Sequence, residues 1–120
     1  LFDRNKAGID AAKERAISAA MRLEAVRLET MAVRRSAMVQ VQASERRLEA
    51  AEQGEAAASE AYRLGRIGYD SGKTALLELL AIRRALSEAQ ASTIDAHLSR
   101  VRALATLSLA EGRNVFGEAP

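Results

Sequence analysis

No proline precedes Pro120, the last residue of this 120-residue chain, so no ring-locked φ or missing N–H forces it out of helix on the way. The one clear interruption is Tyr69-Asp70-Ser71-Gly72-Lys73-Thr74-Ala75-Leu76-Leu77-Glu78-Leu79-Leu80. Gly65, Gly68 and Gly72 gather around its start, and a leucine run opens after it. The pattern predicts an all-α fold: a long antiparallel helical hairpin of coiled-coil type, with helices over about residues 6–69 and 73–111. Its tip falls at 68–77. The chain, 1–120, reads as this single hairpin with a loose tail over 113–120.

Along the first arm a seam runs through Ala20, Leu23, Arg27, Thr30, Arg34, Ala37, Val41, Ser44, Leu48, Ala51, Glu55, Ala58, Tyr62, Gly65 and Tyr69. Its steps alternate between three and four, the spacing of side chains that share one helix face. The second arm repeats the pattern in Leu79, Ile82, Leu86, Ala89, Thr93, Ala96, Arg100, Ala103, Leu107 and Ala110. Most occupants are small or polar. Aromatic residues make up only 3% of the chain, so helices in thin contact are expected rather than a thick core. Further apolar lines (Ile17, Met21, Leu28, Met31 and Met38; then Ile94, Leu98, Val101 and Ala105) predict that both arms have neighbours on a second side.

Asp3 and Asn5 are candidate N-caps for the first helix, and Gly112 suits the left-handed position that ends the second. At 1.5 Å per residue the arms come to roughly 95 Å and roughly 60 Å. About twenty residues at the start of the first arm would then lack a partner in the chain, and a helix with little large apolar surface is marginal alone. Self-association of the isolated piece is expected. Gly54 marks either a bend or close crossing, or a tolerated surface glycine.

Eighteen basic and sixteen acidic residues give a net charge of +2, with signs well mixed. No run of five like charges occurs and no aromatics sit among the arginines, which argues for a solvated face and against a nucleic-acid partner. The absence of cysteine removes disulfides and thiolate metal sites. No segment approaches the ~20 apolar residues of a membrane-spanning helix. The first residues lack both an initiator Met and a signal-peptide core, which suggests a mature chain or an excised piece.

Chemistry finds little purchase. His97 is the only histidine, and its helical neighbours at i+3 and i+4, Arg100 and Val101, supply no metal ligand. Ser71-Gly72-Lys73-Thr74 matches only the end of a phosphate loop, because Ile67 stands where the upstream glycine belongs and no strand precedes it. Glu49, Glu52 and Glu55 have surface-helix spacing and read as solvent-facing. No catalytic residue, cofactor or metal site is expected.

Two motifs carry a family resemblance over nearly the whole chain. Leu1-Phe2-Asp3-Arg4-Asn5-Lys6-Ala7-Gly8-Ile9 is similar to the segment where TolC-like outer-membrane efflux factors, especially the CzcC-type heavy-metal branch, leave a barrel strand for a long helix. Tyr69 to Leu80 resembles that family's hairpin tip. In two places the chain departs from the family pattern. Ala75 stands where a Ser or Thr often caps the second helix, leaving Thr74 or Ser71 to do so. Ala81 replaces a common Asp after the leucines.

The resemblance implies a fragment of a larger outer-membrane protein: the periplasmic hairpin of its second half, part of a homotrimeric tunnel in a tripartite export pump. It also implies that a periplasmic adaptor (membrane-fusion) protein docks at a tip formed by Gly68, Tyr69, Ser71, Gly72, Lys73, Leu76 and Leu77. Glycines there permit close backbone approach, the leucines an apolar contact, and Lys73 a charged hydrogen bond. On local residues alone, the favoured reading is that the same leucines only close the end of the hairpin core, with Leu79 and Leu80 as packing residues. The resemblance reverses that preference for the tip as a whole. Two other readings compete. An adaptor's own hairpin would have arms of similar length, and a generic structural coiled coil would have no docking role.

Overall fold

The structure, a computed structural model, describes residues 2–112. It contains two helices, α1 over Phe2–Asp70 and α2 over Leu76–Ala110. The predicted tail lies outside the described residues. The chain divides into two compact units, Leu1–Ser36 and Ala37–Pro120.

The described residues of the first unit, 2–36, are the early part of α1, and every one of them is exposed. Ile17, Met21, Leu28 and Met31 stand open on its surface, as do the seam positions Leu23, Arg27 and Thr30. The expected start near Lys6 needs correction. Helix is already present at Phe2, so Asp3 and Asn5 lie inside the first turn instead of capping it. Asp3 still favours the helix from there, its carboxylate facing the positive end of the macrodipole.

The second unit is the antiparallel hairpin. On α1, Ala37, Val41, Ser44 and Gly65 are buried, and Leu48, Ala51, Glu55, Ala58 and Tyr62 are half-buried. On α2, Thr93 and Ala96 are buried, while Leu79, Ile82, Leu86, Ala89, Arg100, Ala103, Leu107 and Ala110 are half-buried. These are the predicted seam positions of both arms. Among the described residues no large side chain is fully buried, and Val41 is the bulkiest member of the buried set. The stabilisation is therefore spread thinly along the arms, each small side chain contributing far less than the ~1.5–3 kcal/mol of a buried leucine or phenylalanine.

Contacts across the arms fix the register. Arg47 meets Asp95, Ala51 meets Thr93 and Gly65 meets Ile82, so positions ascend on one arm as they descend on the other. Farther along, Gln40 and Ser44 share a shallow groove with Ala103 and Thr106. This register brings the end of α2 level with Ala37, the first buried residue of α1. The uncovered stretch of α1 is thus residues 2–36, longer than the twenty or so expected, because α1 begins at Phe2 rather than near Lys6 and because the turn uses residues 71–75, so that α2 begins later.

Gly112 ends α2 as expected. It has φ +69° and its N–H donates to the Leu109 carbonyl at 3.1 Å. Gly54 has open space where a Cβ would stand, which identifies it as a surface glycine and not a close crossing.

Candidate functional site

Three glycines shape this end of the hairpin, each in a different way. Gly72 has φ +74°, a left-handed conformation that costs other residues roughly 1–2 kcal/mol. Its N–H donates to the Tyr69 carbonyl at 2.9 Å, and the Lys73 N–H donates to the Gly68 carbonyl at 2.8 Å. These paired bonds form a Schellman cap, which satisfies carbonyls that the end of α1 would otherwise leave open. Gly68 lies so close to Thr74 that a Cβ there would collide with the Thr74 hydroxyl and stand 3.2 Å from its Cβ. Gly65 faces α2, where an added Cβ would meet Ile82 Cδ1 at 3.0 Å and Leu79 Cδ1 at 3.5 Å.

The start of α2 differs from expectation. Its N-cap is Ala75, in extended conformation (φ −69°, ψ 151°), and no side chain caps the helix. Neither Ser71 nor Thr74 serves that role. The Ser71 hydroxyl donates instead to the Gly68 carbonyl at 3.0 Å, and Thr74 is turned toward Gly68. Glu78 in the first turn of α2 offsets the positive end of its dipole.

Of the residues expected at the tip, Tyr69, Ser71, Gly72, Lys73, Leu76 and Leu77 are exposed, and Gly68 is half-buried. Leu77 is the most open leucine of the chain's middle section, at 81%. Leu79 packs toward Gly65 as anticipated, but Leu80 is exposed rather than packed. Leu64 and Ile67 on α1 are exposed as well, and sequence reasoning passed over both. Their spacing of three was the available signal, since it places them together on a face away from the Tyr62–Gly65 seam.

The charges near this end are simple. Arg63 donates two hydrogen bonds to Glu60, at 2.8 and 2.7 Å, and these hold the Glu60 carboxyl below the usual carboxylate range. Farther from the tip, His97 Nε2 stands 3.7 Å from Glu52 Oε1 across the arms. That carboxylate was invisible to a search along one helix. The described residues contain no group of three potential metal ligands. Glu49 and Glu52 are exposed as expected, whereas Glu55 is half-buried at the seam. No described helix is long and apolar enough to cross a membrane.

The profile of the family described as outer membrane efflux protein matches residues 1–113. The chain belongs to the outer membrane efflux protein family. It is 61% identical over 98% of its length to the nickel-cobalt-cadmium resistance protein NccC of Alcaligenes xylosoxydans xylosoxydans. It is 58% identical, again over 98%, to the nickel and cobalt resistance protein CnrC of Cupriavidus metallidurans. The chain spans 27% and 28% of the length of these two curated relatives. No solved structure matches it. Membership of the outer membrane efflux protein family makes this helical stretch a periplasmic portion of a Gram-negative outer-membrane protein.

Proposed function

We propose that the hairpin is a wall segment of the periplasmic conduit of an efflux channel, and that its tip docks onto a periplasmic adaptor in a tripartite pump. Divalent metal cations are the cargo suggested by the nickel, cobalt and cadmium in the relatives' names. The parent acts as a homotrimer and passes its cargo by providing a path, not by catalysis.

One observation carries the docking reading. The backbone of the turn is tied back onto α1 by its own hydrogen bonds, while Tyr69, Leu76 and Leu77 remain uncovered around it. Apolar side chains held at a rigid end, where they contribute little to the seam, suit contact with another protein. Gly68, Ser71, Gly72 and Lys73 complete the surface, and the polar members set its rim.

Photocrosslinking in the full-length parent, expressed in its own envelope, tests this. A photoreactive residue at Lys73 is expected to yield an adduct with the adaptor, and one at exposed Glu49, midway along the arm, is not. Adducts only with sister protomers would leave a tunnel wall without a docking tip.

A further inference from the structure

We infer that Thr74, through its contact with Gly68, is the positioning residue of the tip: the pair fixes the conformation in which Tyr69, Leu76 and Leu77 meet the adaptor. The inference rests on the docking reading above and adds to it a residue that does not itself face the partner.

Three observations converge on this pair. Between Tyr69 and Glu78, Thr74 alone is not exposed, although Lys73 and Ala75 on either side of it are. Its side chain fills the space that a Cβ on residue 68 would need. The Gly68 carbonyl, in turn, accepts the Lys73 N–H at 2.8 Å, the Thr74 N–H at 3.1 Å and the Ser71 hydroxyl at 3.0 Å. Gly68 is therefore the point to which the outgoing chain is tied, and Thr74 is the side chain seated on it.

The placement has a mechanical consequence. α2 has no side-chain cap to fix where it begins. Ala75 is extended and Leu76 opens the helix, so whatever holds Thr74 also sets the position of the first turn. Any side chain at residue 68 would push Thr74 outward and stretch both N–H bonds to the Gly68 carbonyl. Leu76 and Leu77 would move with it relative to Tyr69, which remains on α1. The hairpin below is held separately, at Gly65 against Ile82 and Leu79.

A size swap tests the inference in the full-length parent, with two readouts. Gly68→Ala is expected to lower the adaptor adduct from a photoreactive residue at Lys73 about fivefold or more. It is also expected to speed hydrogen exchange of the Lys73 and Thr74 amides. Thr74→Gly alone, which empties the seat on Gly68, is expected to impair both readouts likewise, and an unimpaired Thr74→Gly would overturn the inference. Gly68→Ala combined with Thr74→Gly, which moves the bulk from one member of the pair to the other, is expected to restore both to within about twofold of the original. Unchanged amide exchange in Gly68→Ala would overturn the inference whatever the adduct does. So would altered exchange with a full adduct, or a double variant that stays as impaired as the single one. If the unsubstituted tip gives no adduct from Lys73, the docking reading itself fails, and the role assigned to Thr74 fails with it.

Discussion

The Thr93 hydroxyl on α2 lies 3.3 Å from the Ala51 carbonyl on α1 and 3.2 Å from the Ala89 carbonyl one turn back on its own helix. One proton thus serves two acceptors, and the seam gains a directional contact where both arms carry small residues. A carbonyl already engaged within its helix offers only a weak second bond. Thr93→Val keeps the shape and removes the hydroxyl, and should lower stability by about 0.5–1 kcal/mol. Urea denaturation of the 120-residue chain followed by circular dichroism measures the shift.

Two helical glycines should respond to alanine in different ways. Gly54→Ala meets open space and should stabilise the chain by about 0.5–1 kcal/mol through helix propensity alone. At Gly65 the same gain is opposed by Ile82 Cδ1 at 3.0 Å, so Gly65→Ala should be close to neutral. Gly65→Val overfills the site and should cost about 1–3 kcal/mol. Thermal melts of the three variants side by side give the order.

The Glu60 carboxyl titrates below its ordinary range, chiefly because of the hydrogen bonds from Arg63 and then because of that residue's charge. A depressed carboxyl contributes stability that is fully present above the unfolded value of about 4.3 and is lost as pH falls through the lower folded value. Arg63→Gln should return the Glu60 titration toward the ordinary range and remove this acid dependence. A side-chain carboxyl titration by nuclear magnetic resonance reads it directly, and an unmoved Glu60 would refute the assignment to Arg63.

Leu77 separates the tip surface from the hairpin that carries it. At 81% exposure it adds little to the seam, so Leu77→Asn should change stability by less than about 0.5 kcal/mol. The same substitution in the full-length parent should lower metal tolerance of the cells and weaken adaptor crosslinking. Intact tolerance with intact crosslinking would remove Leu77 from the docking surface.

The seam was legible because a three-four spacing leaves only one face for small side chains, and residues from Ala37 to Gly65 are buried or half-buried where that spacing put them. The same spacing continues back through Thr30, Arg27 and Leu23, yet those residues are exposed. Periodicity identifies a face fit for burial; it does not say whether anything covers it. Near the tip the rule fails for a different reason. Tyr69 was expected on the seam, but Gly68 is the half-buried position, because the chain folds back and seats Thr74 on it. Caps were misread at both helix starts, since Asp3, Asn5, Ser71 and Thr74 all have suitable side chains and only the path of the backbone decides whether they are used. Arg47 with Asp95 and Glu52 with His97 depend on the register between arms, which no single helix encodes.

The thin seam has a consequence for the order in which the hairpin forms. Contacts at the turn join residues close in sequence, and the separation grows outward, from 42 residues between Ala51 and Thr93 to 48 between Arg47 and Asp95. Once the Gly72 turn has closed, each next pair has only a short additional span of chain to order. Among the described residues no large buried side chain waits to complete a central nucleus. The hairpin should therefore zip from the turn toward its open end and fray in the reverse order, with the turn the last part to lose protection.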